Sequence, residues 1–286
     1  MFSIIIPLYN KELSIRKTIQ SALDQTFHNF EILVINDGST DSSLSIVNEI
    51  NDKRVKVITQ SNKGVSAARN LGIKKANYEW IAFLDGDDLW EPNHLKQIVK
   101  MMSIFPNKYV YATSFKFSTN RKVYRHSRDK NIFLIENYFK EALKEPLLWT
   151  SITVVNKSCF ENVGYFREIL AHGEDLDLWI RLAKKYEIIK SSEITSTYRI
   201  DAENRTSLGR NVKRTHVYHI DIDSIKDPYE IIYHKKAIIE RMVAYIKIRD
   251  IQNFNILRKK HSQIKLKTFL SYSSFLVIKK IVNKIF

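Results

Sequence analysis

Cysteine and glycine are scarce in this sequence. Its 286 residues include one cysteine and seven glycines. A single cysteine, Cys159, excludes a disulfide framework and any cysteine-rich zinc module, and it favours a reducing compartment such as the cytosol. Neither GxGxxG nor GxxxxGKS/T is present, because the glycines lie at positions 38, 64, 72, 86, 164, 173 and 209. Dinucleotide-binding and P-loop proteins are therefore disfavoured classes.

Long apolar runs are absent as well. Near the C-terminus, the longest apolar stretch without a charge covers residues 268–278, whereas a helix needs roughly 20 apolar residues to cross a bilayer. At the N-terminus, residues 2–7 (FSIIIP) lack the basic segment that begins a secretion signal, and the polar residues Asn10, Lys11 and Glu12 follow soon after. We therefore expect no transmembrane helix, and we interpret residues 2–7 as a buried strand.

Positive charge is in excess, but it is unevenly distributed. The chain has 46 Lys+Arg and 31 Asp+Glu, a net charge of +15. Residues 1–101 carry 12 of each sign, residues 102–229 carry 21 and 16, and residues 230–286 carry 13 and 3. A neutral first third is not typical of a polyanion-binding face, so we expect no nucleic-acid partner. The basic character belongs mainly to the C-terminal part.

Short apolar runs alternate with helix-length segments in the first hundred residues. The runs, rich in Ile and Val, are too short for helices and cover residues 2–7, 32–35, 55–58 and 81–84. The segments between them have helical spacing or helix-start residues and cover residues 13–26, 41–50 and 66–76. This order predicts an α/β fold with a mostly parallel sheet flanked by helices. Right-handed crossovers then place the loops after the strands along one edge, where open α/β sheets bind ligands.

One of these loops is strongly acidic. Asp85-Gly86-Asp87-Asp88 directly follows the fourth apolar run. Three carboxylates this close repel each other unless they share a cation. Oxygen-only ligands suit Mg²⁺ or Mn²⁺, which in turn can hold a diphosphate. The alternative interpretation is a turn followed by a helix over residues 90–102 that Asp88 caps.

A second acidic pair begins a predicted helix. Glu174 and Asp175 precede residues 176–183, whose apolar side chains have helical spacing. The helix macrodipole favours acidic residues at a helix start, so capping alone explains one of the two. Asp177 lies two residues further on, at another face of the helix, and we assign it a surface or structural role.

Six motifs follow one another along roughly the first 205 residues. They are SIIIPLYN (3–10), SALDQTF (21–27), EILVINDGSTD (31–41), NKGVSAARNLG (62–72), IAFLDGDD (81–88) and GEDLDLWIRL (173–182). In order and spacing they resemble glycosyltransferase family 2. The resemblance implies a GT-A fold, which is a Rossmann-like sheet flanked by helices, here with a C-terminal helical extension. It also implies a nucleotide-sugar donor, a divalent metal ion and transfer with inversion at the anomeric carbon.

The resemblance implies that two residues hold the base of a UDP-type donor. Asp37 accepts a hydrogen bond from the uracil ring, and the ring rests on Tyr9. A planar base requires an aromatic face and one well-placed polar group. Alternatively, Asp37 is a turn residue beside Gly38, and Tyr9 is an aromatic side chain at the edge of the core.

Four further residues match the family's donor-binding motifs. Arg69 and Lys63 lie in the segment that reaches the nucleotide and the diphosphate, although Lys63 alternatively is a solvated loop cation. Pro7 follows the first strand residues, and Gly86 separates the aspartates of the acidic loop. We assign all four to donor binding.

The resemblance divides the acidic residues into metal-binding and catalytic pairs. Asp85 and Asp87 match the family's DxD motif, with Asp87 as the direct ligand of Mn²⁺ or Mg²⁺ and Asp85 bound to the ribose or to a metal-bound water. The metal neutralises charge on the departing nucleoside diphosphate. Asp175 is the base that removes the acceptor hydroxyl proton, and Glu174 orients the acceptor or the base.

Other polar and aromatic residues in the second half have less specific patterns. Trp149 either stacks on a sugar ring or belongs to the core. Residues 198–205, which include Arg199 and Arg205, form either a mobile lid over the diphosphate or a solvated loop. His216 and His219 have helical spacing, but without an adjacent acidic motif we expect no zinc site.

The chain is thus predicted to have three parts. Residues 1–101 form the nucleotide-sugar-binding half of the transferase domain, and residues 102–229 form the acceptor-binding half. Residues 230–286 form a basic amphipathic helical tail, which docks on an anionic membrane surface or packs on its own domain or a second subunit.

The resulting hypothesis is a metal-dependent inverting glycosyltransferase. It transfers a sugar from a UDP-sugar to the hydroxyl of a carbohydrate acceptor, which can be lipid-linked, in the synthesis of a bacterial surface polysaccharide such as capsule, O-antigen or lipooligosaccharide. We expect it in the cytoplasm, or peripherally on the inner face of the plasma membrane. The alternatives are a non-catalytic membrane- or nucleic-acid-binding adaptor on a transferase-like fold, and a nucleotidyltransferase, which the lack of a glycine-rich phosphate loop disfavours.

Overall fold

A computed structural model describes residues 1–119, 131–204, 211–265 and 269. The chain divides into two compact units. The first comprises Met1–Glu168 and Glu174–Thr206, and the second comprises Ile169–Gly173 and Ser207–Phe286. Arg205 and most of the tail beyond residue 265 lie outside the described residues, and the predictions made for them stay predictions.

The first unit alternates strands and helices. Its strands, in chain order, are β1 (Phe2–Leu8), β2 (Phe30–Asp37), β3 (Val55–Gln60), β4 (Trp80–Phe83), β5 (Leu89–Trp90), β6 (Val110–Phe117), β7 (Ile132–Leu134), β8 (Thr153–Asn156) and β9 (Ile188–Tyr198). Its helices are α1 (Ile15–Leu23), α2 (Ser43–Asn48), α3 (Val65–Lys75), α4 (His94–Ile104), α5 (Tyr138–Ala142), α6 (Cys159–Val163) and α7 (Glu174–Lys185). The predicted α/β architecture is confirmed.

The strands form one sheet, ordered β3-β2-β1-β4-β8-β6-β9-β5, with β7 paired to β9. The first four strands of this order are parallel. In the second half, β6 and β9 are parallel, whereas β8, β5 and β7 are antiparallel to their neighbours. Parallel order in the first half places the loops after β1, β2 and β4 along one edge, as the alternation of runs and helices predicted.

The central strands β1 and β2 are almost completely buried and mainly apolar, as is typical of parallel strands with helices on both faces of the sheet. In β1, six of seven residues are buried, and all eight residues of β2 are buried. Helix α3 lies so close to β1 that a Cβ atom at Gly72 would come within 2.5 Å of the Ile5 side chain. Glycine at position 72 therefore allows α3 to pack this closely against the sheet, and with it the polar residues near the N-terminus of α3.

The acidic loop after β4 is followed by a strand, not by a helix. Leu89 and Trp90 form β5 and pair with β9, and α4 begins at His94 after the N-cap residue Asn93. The capping role considered for Asp88 is therefore wrong. Its buried carboxylate instead accepts hydrogen bonds from Ser151 Oγ at 2.6 Å and from the backbone N–H of Arg199 at 3.1 Å.

The second unit is helical. It contains α8 (His216–His219), α9 (Pro228–Lys247) and α10 (Ile251–Lys260). Helix α9 begins at a proline, and the N-cap Asp227 accepts hydrogen bonds from the backbone of the first turn. Its core is a separate apolar cluster that includes Ile238, Met242, Tyr245 and Leu257. The predicted C-terminal helices are confirmed. No helix in the described part of the chain is both long enough and apolar enough to cross a membrane.

Residues 169–173 belong to the second unit although the chain on both sides belongs to the first. They run beside residues 214–216: the N–H of Ala171 donates to the carbonyl of Arg214 at 2.7 Å, and the N–H of His216 donates to the carbonyl of His172 at 2.9 Å. Gly173 has φ +76°, and a Cβ atom there would lie 3.0 Å from the His216 side chain. The residue directly before Glu174 is therefore fixed by a contact that requires glycine.

Candidate active site

The loops after β1, β2 and β4 are joined where their strands end. A Cβ atom at Gly86 would come within 2.9 Å of the carbonyl oxygen of Pro7, so glycine allows the acidic loop to lie against the end of β1. Asn10 connects the first loop to the second, because its N–H donates to Ser39 Oγ at 3.2 Å and its Oδ1 accepts from the N–H of Thr40 at 2.8 Å. Pro7 and Gly86 thus position the site through their backbone.

Arg69 lies between the two predicted acidic motifs. One guanidinium nitrogen donates to Asp85 Oδ1 at 2.6 Å, and the other donates to Glu174 Oε1 at 2.9 Å. The arginine side chain is 4% exposed, and its guanidinium lies 5.2 Å from the centre of the Phe166 ring. Burial disfavours its charge, but the neighbouring carboxylates outweigh burial and raise its pKa further above its ordinary value. Arg69 is therefore a permanent cation that holds residues 85 and 174 together, although 89 residues separate them in the sequence.

Asn70, a member of the same motif to which no role was assigned, supports this arrangement. Its side-chain amide donates to the carbonyl of Phe166 at 2.9 Å and accepts from the N–H of Phe166 at 3.0 Å. The side chain is buried, so these hydrogen bonds are shielded from water. Asn70 thereby fixes the Phe166 backbone, and with it the ring that lies beside Arg69.

Asp175 is the second residue of α7 and directly follows Glu174 of this cluster. Burial raises the pKa of its carboxyl, the Glu174 carboxylate raises it further, and Arg69 opposes the shift, so that the pKa is about 7. Its Oδ1 accepts a hydrogen bond from the N–H of Leu176 at 2.8 Å. A carboxylate with a pKa near neutrality can both accept and release a proton under physiological conditions, as a general base must.

Asp87 is paired with a lysine that the sequence interpretation missed. Lys11 Nζ lies 2.7 Å from Asp87 Oδ2, and both side chains are largely buried, with 13% and 14% exposed. Burial raises the pKa of Asp87, and the charge of Asp85 raises it as well, whereas Lys11 lowers it. Lys11 directly follows the Tyr9 and Asn10 loop residues, so the argument that led to that loop could have found it.

Ser151 and Glu203 are two further missed residues. Ser151 Oγ accepts from the N–H of Asp85 at 3.1 Å and donates to Asp88, so it fixes both ends of the acidic loop. The Glu203 carboxylate accepts from the N–H of Leu13 at 3.1 Å and from Ser14 Oγ at 2.6 Å, at the start of α1. No local pattern marks either residue, because their partners are more than 60 residues away in the sequence.

The predicted nucleoside-binding residues lie at the ends of two strands, with Tyr9 directly after β1 and Asp37 as the last residue of β2. The Asp37 carboxylate is buried and already accepts three hydrogen bonds, two from the backbone of Lys63 and Gly64 at 2.8 Å and one from Gln60 at 2.7 Å. It therefore shapes the loop after β3, while the Lys63 side chain is exposed. Tyr9 is 40% exposed, as an aromatic surface for a planar ligand must be. Base recognition by Asp37 and Tyr9 stays a prediction.

The remaining candidates differ in how deeply their side chains are buried. Asp177 is buried and paired with Arg181 at 2.7 Å, so of its two proposed roles the structural one holds. Trp149 is half-buried beside Tyr198, with ring centres 4.8 Å apart. His216 is buried in the second unit, and His219 is exposed on it.

The acidic loop suits a metal ion that shares its coordination with a diphosphate. Among the described residues, no group of three or more His, Cys, Asp or Glu side chains could hold a metal ion. Asp85 and Asp87 supply only hard oxygen donors, and Mg²⁺ or Mn²⁺ is commonly held by one or two carboxylates together with substrate phosphates. Burial raises the pKa of Asp87 and the Asp85 carboxylate raises it further, so a divalent cation would favour the ionised form that Lys11 only partly stabilises. The residues present therefore fit such an ion.

Comparison with known proteins gives concordant results. The family model described as glycosyl transferase family 2 matches residues 3–164. An Escherichia coli enzyme, the UDP-Glc:alpha-D-GlcNAc-diphosphoundecaprenol beta-1,3-glucosyltransferase WfgD, is 30% identical over 239 residues, which are 82% of this chain and 90% of that protein. A glycosyltransferase of Rickettsia bellii is 34% identical over 212 residues, 73% of this chain. The chain spans only 30–42% of the length of three Rickettsia relatives.

A solved structure shares the fold. Residues 1–349 of S. aureus TarS, crystallised in complex with UDP-GlcNAc, superpose with a TM-score of 0.65 over 92% of this chain and 91% of that one. The sequences are 18% identical, so the similarity concerns the fold. It confirms the fold class that the motifs implied.

Proposed function

The chain belongs to glycosyltransferase family 2, and from that membership we propose that it transfers a sugar from a UDP-sugar to a carbohydrate hydroxyl with inversion at the anomeric carbon. The observation that carries the proposal is the position of Arg69, which pairs with Asp85 of one acidic motif and Glu174 of the other. A donor held at Asp85 and an acceptor held beside Glu174 would therefore meet at one place in the first unit.

The chemistry follows from the two kinds of carboxylate. Asp175 takes the proton of the acceptor hydroxyl, and the acceptor oxygen forms a bond to the anomeric carbon. The bond from that carbon to the diphosphate oxygen breaks, and its electron pair leaves with the nucleoside diphosphate. Because attack and departure occur on opposite sides of the carbon, the configuration inverts. Arg69 fixes Glu174 next to Asp175 and so keeps the base at one position.

Donor binding is assigned to the residues of the three loops. Asp87, with Asp85, would hold Mn²⁺ or Mg²⁺, and the ion would supply positive charge for the leaving diphosphate. Tyr9 offers its exposed face to the base, and Asp37 and Lys63 border the same edge of the sheet. The complex of TarS with UDP-GlcNAc supports a donor of the UDP type.

The acceptor is proposed to be a lipid-linked sugar in the synthesis of a surface polysaccharide. The name of the E. coli relative WfgD includes an acceptor linked to undecaprenol diphosphate. The alignment with this chain covers 90% of that protein. A shared acceptor class accounts for the basic, apolar-rich C-terminal part of this chain, because such an acceptor is presented at a membrane surface.

Thermal melting with UDP tests the donor site. UDP with Mn²⁺ should raise the melting temperature of the wild-type protein, because a ligand that binds only the folded state stabilises it. Asp87→Ala should abolish this increase and the transfer activity. Asp24→Ala is the matched control, since Asp24 lies on the exposed end of α1 and contacts Gln20. Salt-sensitive binding of RNA or DNA without any effect of UDP would instead support the non-catalytic adaptor.

The turn between α9 and α10 supports membrane docking of the predicted tail. Ile246, Ile248 and Ile251 are 41%, 56% and 54% exposed, and Lys247 and Arg249 between them are exposed too. The carboxylate of the intervening Asp250 is engaged as the N-cap of α10. Exposed isoleucines flanked by cations suit the apolar and anionic layers of a bilayer surface. We therefore assign residues 246–251 as the membrane-facing tip.

Vesicle flotation tests this tip. The wild-type protein should bind vesicles that contain phosphatidylglycerol more strongly than neutral vesicles, and the double variant Ile248→Asp, Ile251→Asp should lose most of that binding. Ile104→Asp is the control, because Ile104 is 50% exposed on the first unit. Unchanged flotation of the double variant would exclude the tip. A dimer that the same variant dissociates in sedimentation would show that the tip binds a second copy of the chain.

A further inference from the structure

Lys11 binds three oxygen atoms that belong to two distant parts of the first unit. Its ammonium donates to Asp87 Oδ2 at 2.7 Å, to the carbonyl of Glu203 at 2.6 Å and to the carbonyl of Asn204 at 3.2 Å. An ammonium has three hydrogens, so its donor capacity is filled. The lysine therefore occupies an oxygen-lined position that includes the carboxylate assigned to the metal.

We propose that Lys11 is an internal cation that competes with the divalent metal for Asp87 and thereby couples metal binding to the segment 199–204. The proposal rests on the metal role of Asp87 in the proposed function. It adds a residue, Lys11, and a consequence at residues 203 and 204 that the family resemblance did not include.

Competition follows from charge and burial. Lys11 and Asp87 are 13% and 14% exposed, so water screens their pairing poorly. A divalent ion held by Asp87 would meet a positive charge already bound to the same carboxylate, and the two cations repel each other. Arg69 is fixed by two carboxylates, whereas Lys11 has a flexible four-carbon stem and can leave. Lys11 is therefore the cation that a metal displaces.

Departure of Lys11 alters the contacts of the segment 199–204. The carbonyls of Glu203 and Asn204 lose their ammonium donor. Other contacts keep the segment near the first loop, since the Glu203 carboxylate binds Ser14 Oγ at 2.6 Å and Asn204 Nδ2 donates to the carbonyl of Tyr9 at 3.1 Å. The segment is therefore loosened at one end and not released. Tyr9, the proposed platform for the base, lies in the loop to which it stays attached.

Manganese binding without nucleotide tests the competition. Free Mn²⁺ is measured by electron paramagnetic resonance for the wild-type protein, Lys11→Met, Lys11→Arg and Lys116→Met. Lys11→Met should bind Mn²⁺ about tenfold more tightly than wild type, within the usual range of coupling between sites. Lys11→Arg keeps the charge and should bind as wild type does. Lys116→Met removes an exposed ion pair of similar length, that with Glu91 at 2.8 Å, and should have no effect.

Hydrogen exchange of residues 199–204 provides the second readout. In the wild-type protein, Mn²⁺ should increase exchange in this segment. In Lys11→Met exchange should be high already and insensitive to Mn²⁺, and melting curves verify that the variant is folded. The wild-type measurement tests the coupling even if that variant does not fold.

The two readouts separate failure of this proposal from failure of the proposed function. Equal Mn²⁺ affinity of wild type and Lys11→Met, or decreased exchange on adding Mn²⁺, overturns the role of Lys11 and leaves the metal site intact. Absence of Mn²⁺ binding in all four proteins, with UDP as well as without it, overturns both the competition and the metal role of Asp87.

Discussion

Replacement of Asp175 by Asn should lower kcat by about 10²–10⁴, the usual contribution of a general base, while UDP affinity stays unchanged. Asn has nearly the same shape but cannot take the acceptor proton. Rapid-mix transfer assays and UDP titration monitor the two quantities. Asp177→Asn is the control on the same helix, because Asp177 pairs with Arg181 and should affect stability without affecting kcat. Normal turnover of Asp175→Asn would show that another group is the base.

The pH dependence of both activity and stability follows from the same carboxyl. Its pKa of about 7 in the folded protein exceeds the ordinary value of 3.8. The rate of wild-type transfer should therefore rise with pH through about 7, as Asp175 loses its proton. Between about pH 4 and 7 the folded state binds more protons here than the unfolded state, so the stability that Asp175 contributes falls as pH rises. The Asp175→Asn variant does not lose this stabilisation as pH rises. Its free energy of unfolding relative to wild type should therefore increase between about pH 4 and 7.

The second large effect is expected at Arg69. Arg69→Met leaves the carboxylates of Asp85 and Glu174 partly buried without their cation, a change that typically costs about 3–5 kcal/mol of unfolding free energy. Transfer activity should also be lost, since nothing else described in the structure joins the two acidic motifs directly. Urea denaturation and transfer assays measure the two effects.

Two further variants distinguish charge from geometry at this position. Arg69→Lys keeps the charge, but an ammonium cannot span both carboxylates as the planar guanidinium does. It should therefore recover much of the stability and little of the activity. Arg69→Met combined with Glu174→Gln should regain part of the stability, because one uncompensated charge is removed. An Arg69→Lys protein with normal kcat would contradict the bridging role.

Local apolar patterns were sufficient to predict strands β1 to β4 of the first unit. The four apolar runs lie within β1 to β4 or extend one residue past them, because parallel strands covered on both faces are continuously apolar. Strand β5 was not predicted, since its two residues, Leu89 and Trp90, gain strand geometry only by pairing with β9. Pairing partners over 100 residues away leave no mark in a local pattern.

In the candidate site too, residues in local motifs were predicted and residues that depend on distant contacts were not. Asp85, Asp87, Glu174 and Asp175 were found because each pair forms a compact acidic motif next to a strand or helix end. Lys11 was missed although it lies in the predicted loop after β1, because nothing in that loop indicates its contact with residue 203, and Glu203 was missed because its partners are nearly 200 residues away. Asp37 was predicted for one role, and its three hydrogen bonds to residues 60–64 give it a second, structural one.

The five residues before α7 obtain their hydrogen-bond partners late during synthesis of the chain. Ala171 and His172 obtain their backbone partners only when Arg214 and His216 have been made, about 40 residues later. At roughly 5–20 residues per second on the ribosome, that delay lasts seconds. The segment directly before α7 therefore lacks these hydrogen-bond partners when Glu174 and Asp175 are made, and it obtains them only after residues 214–216 have followed.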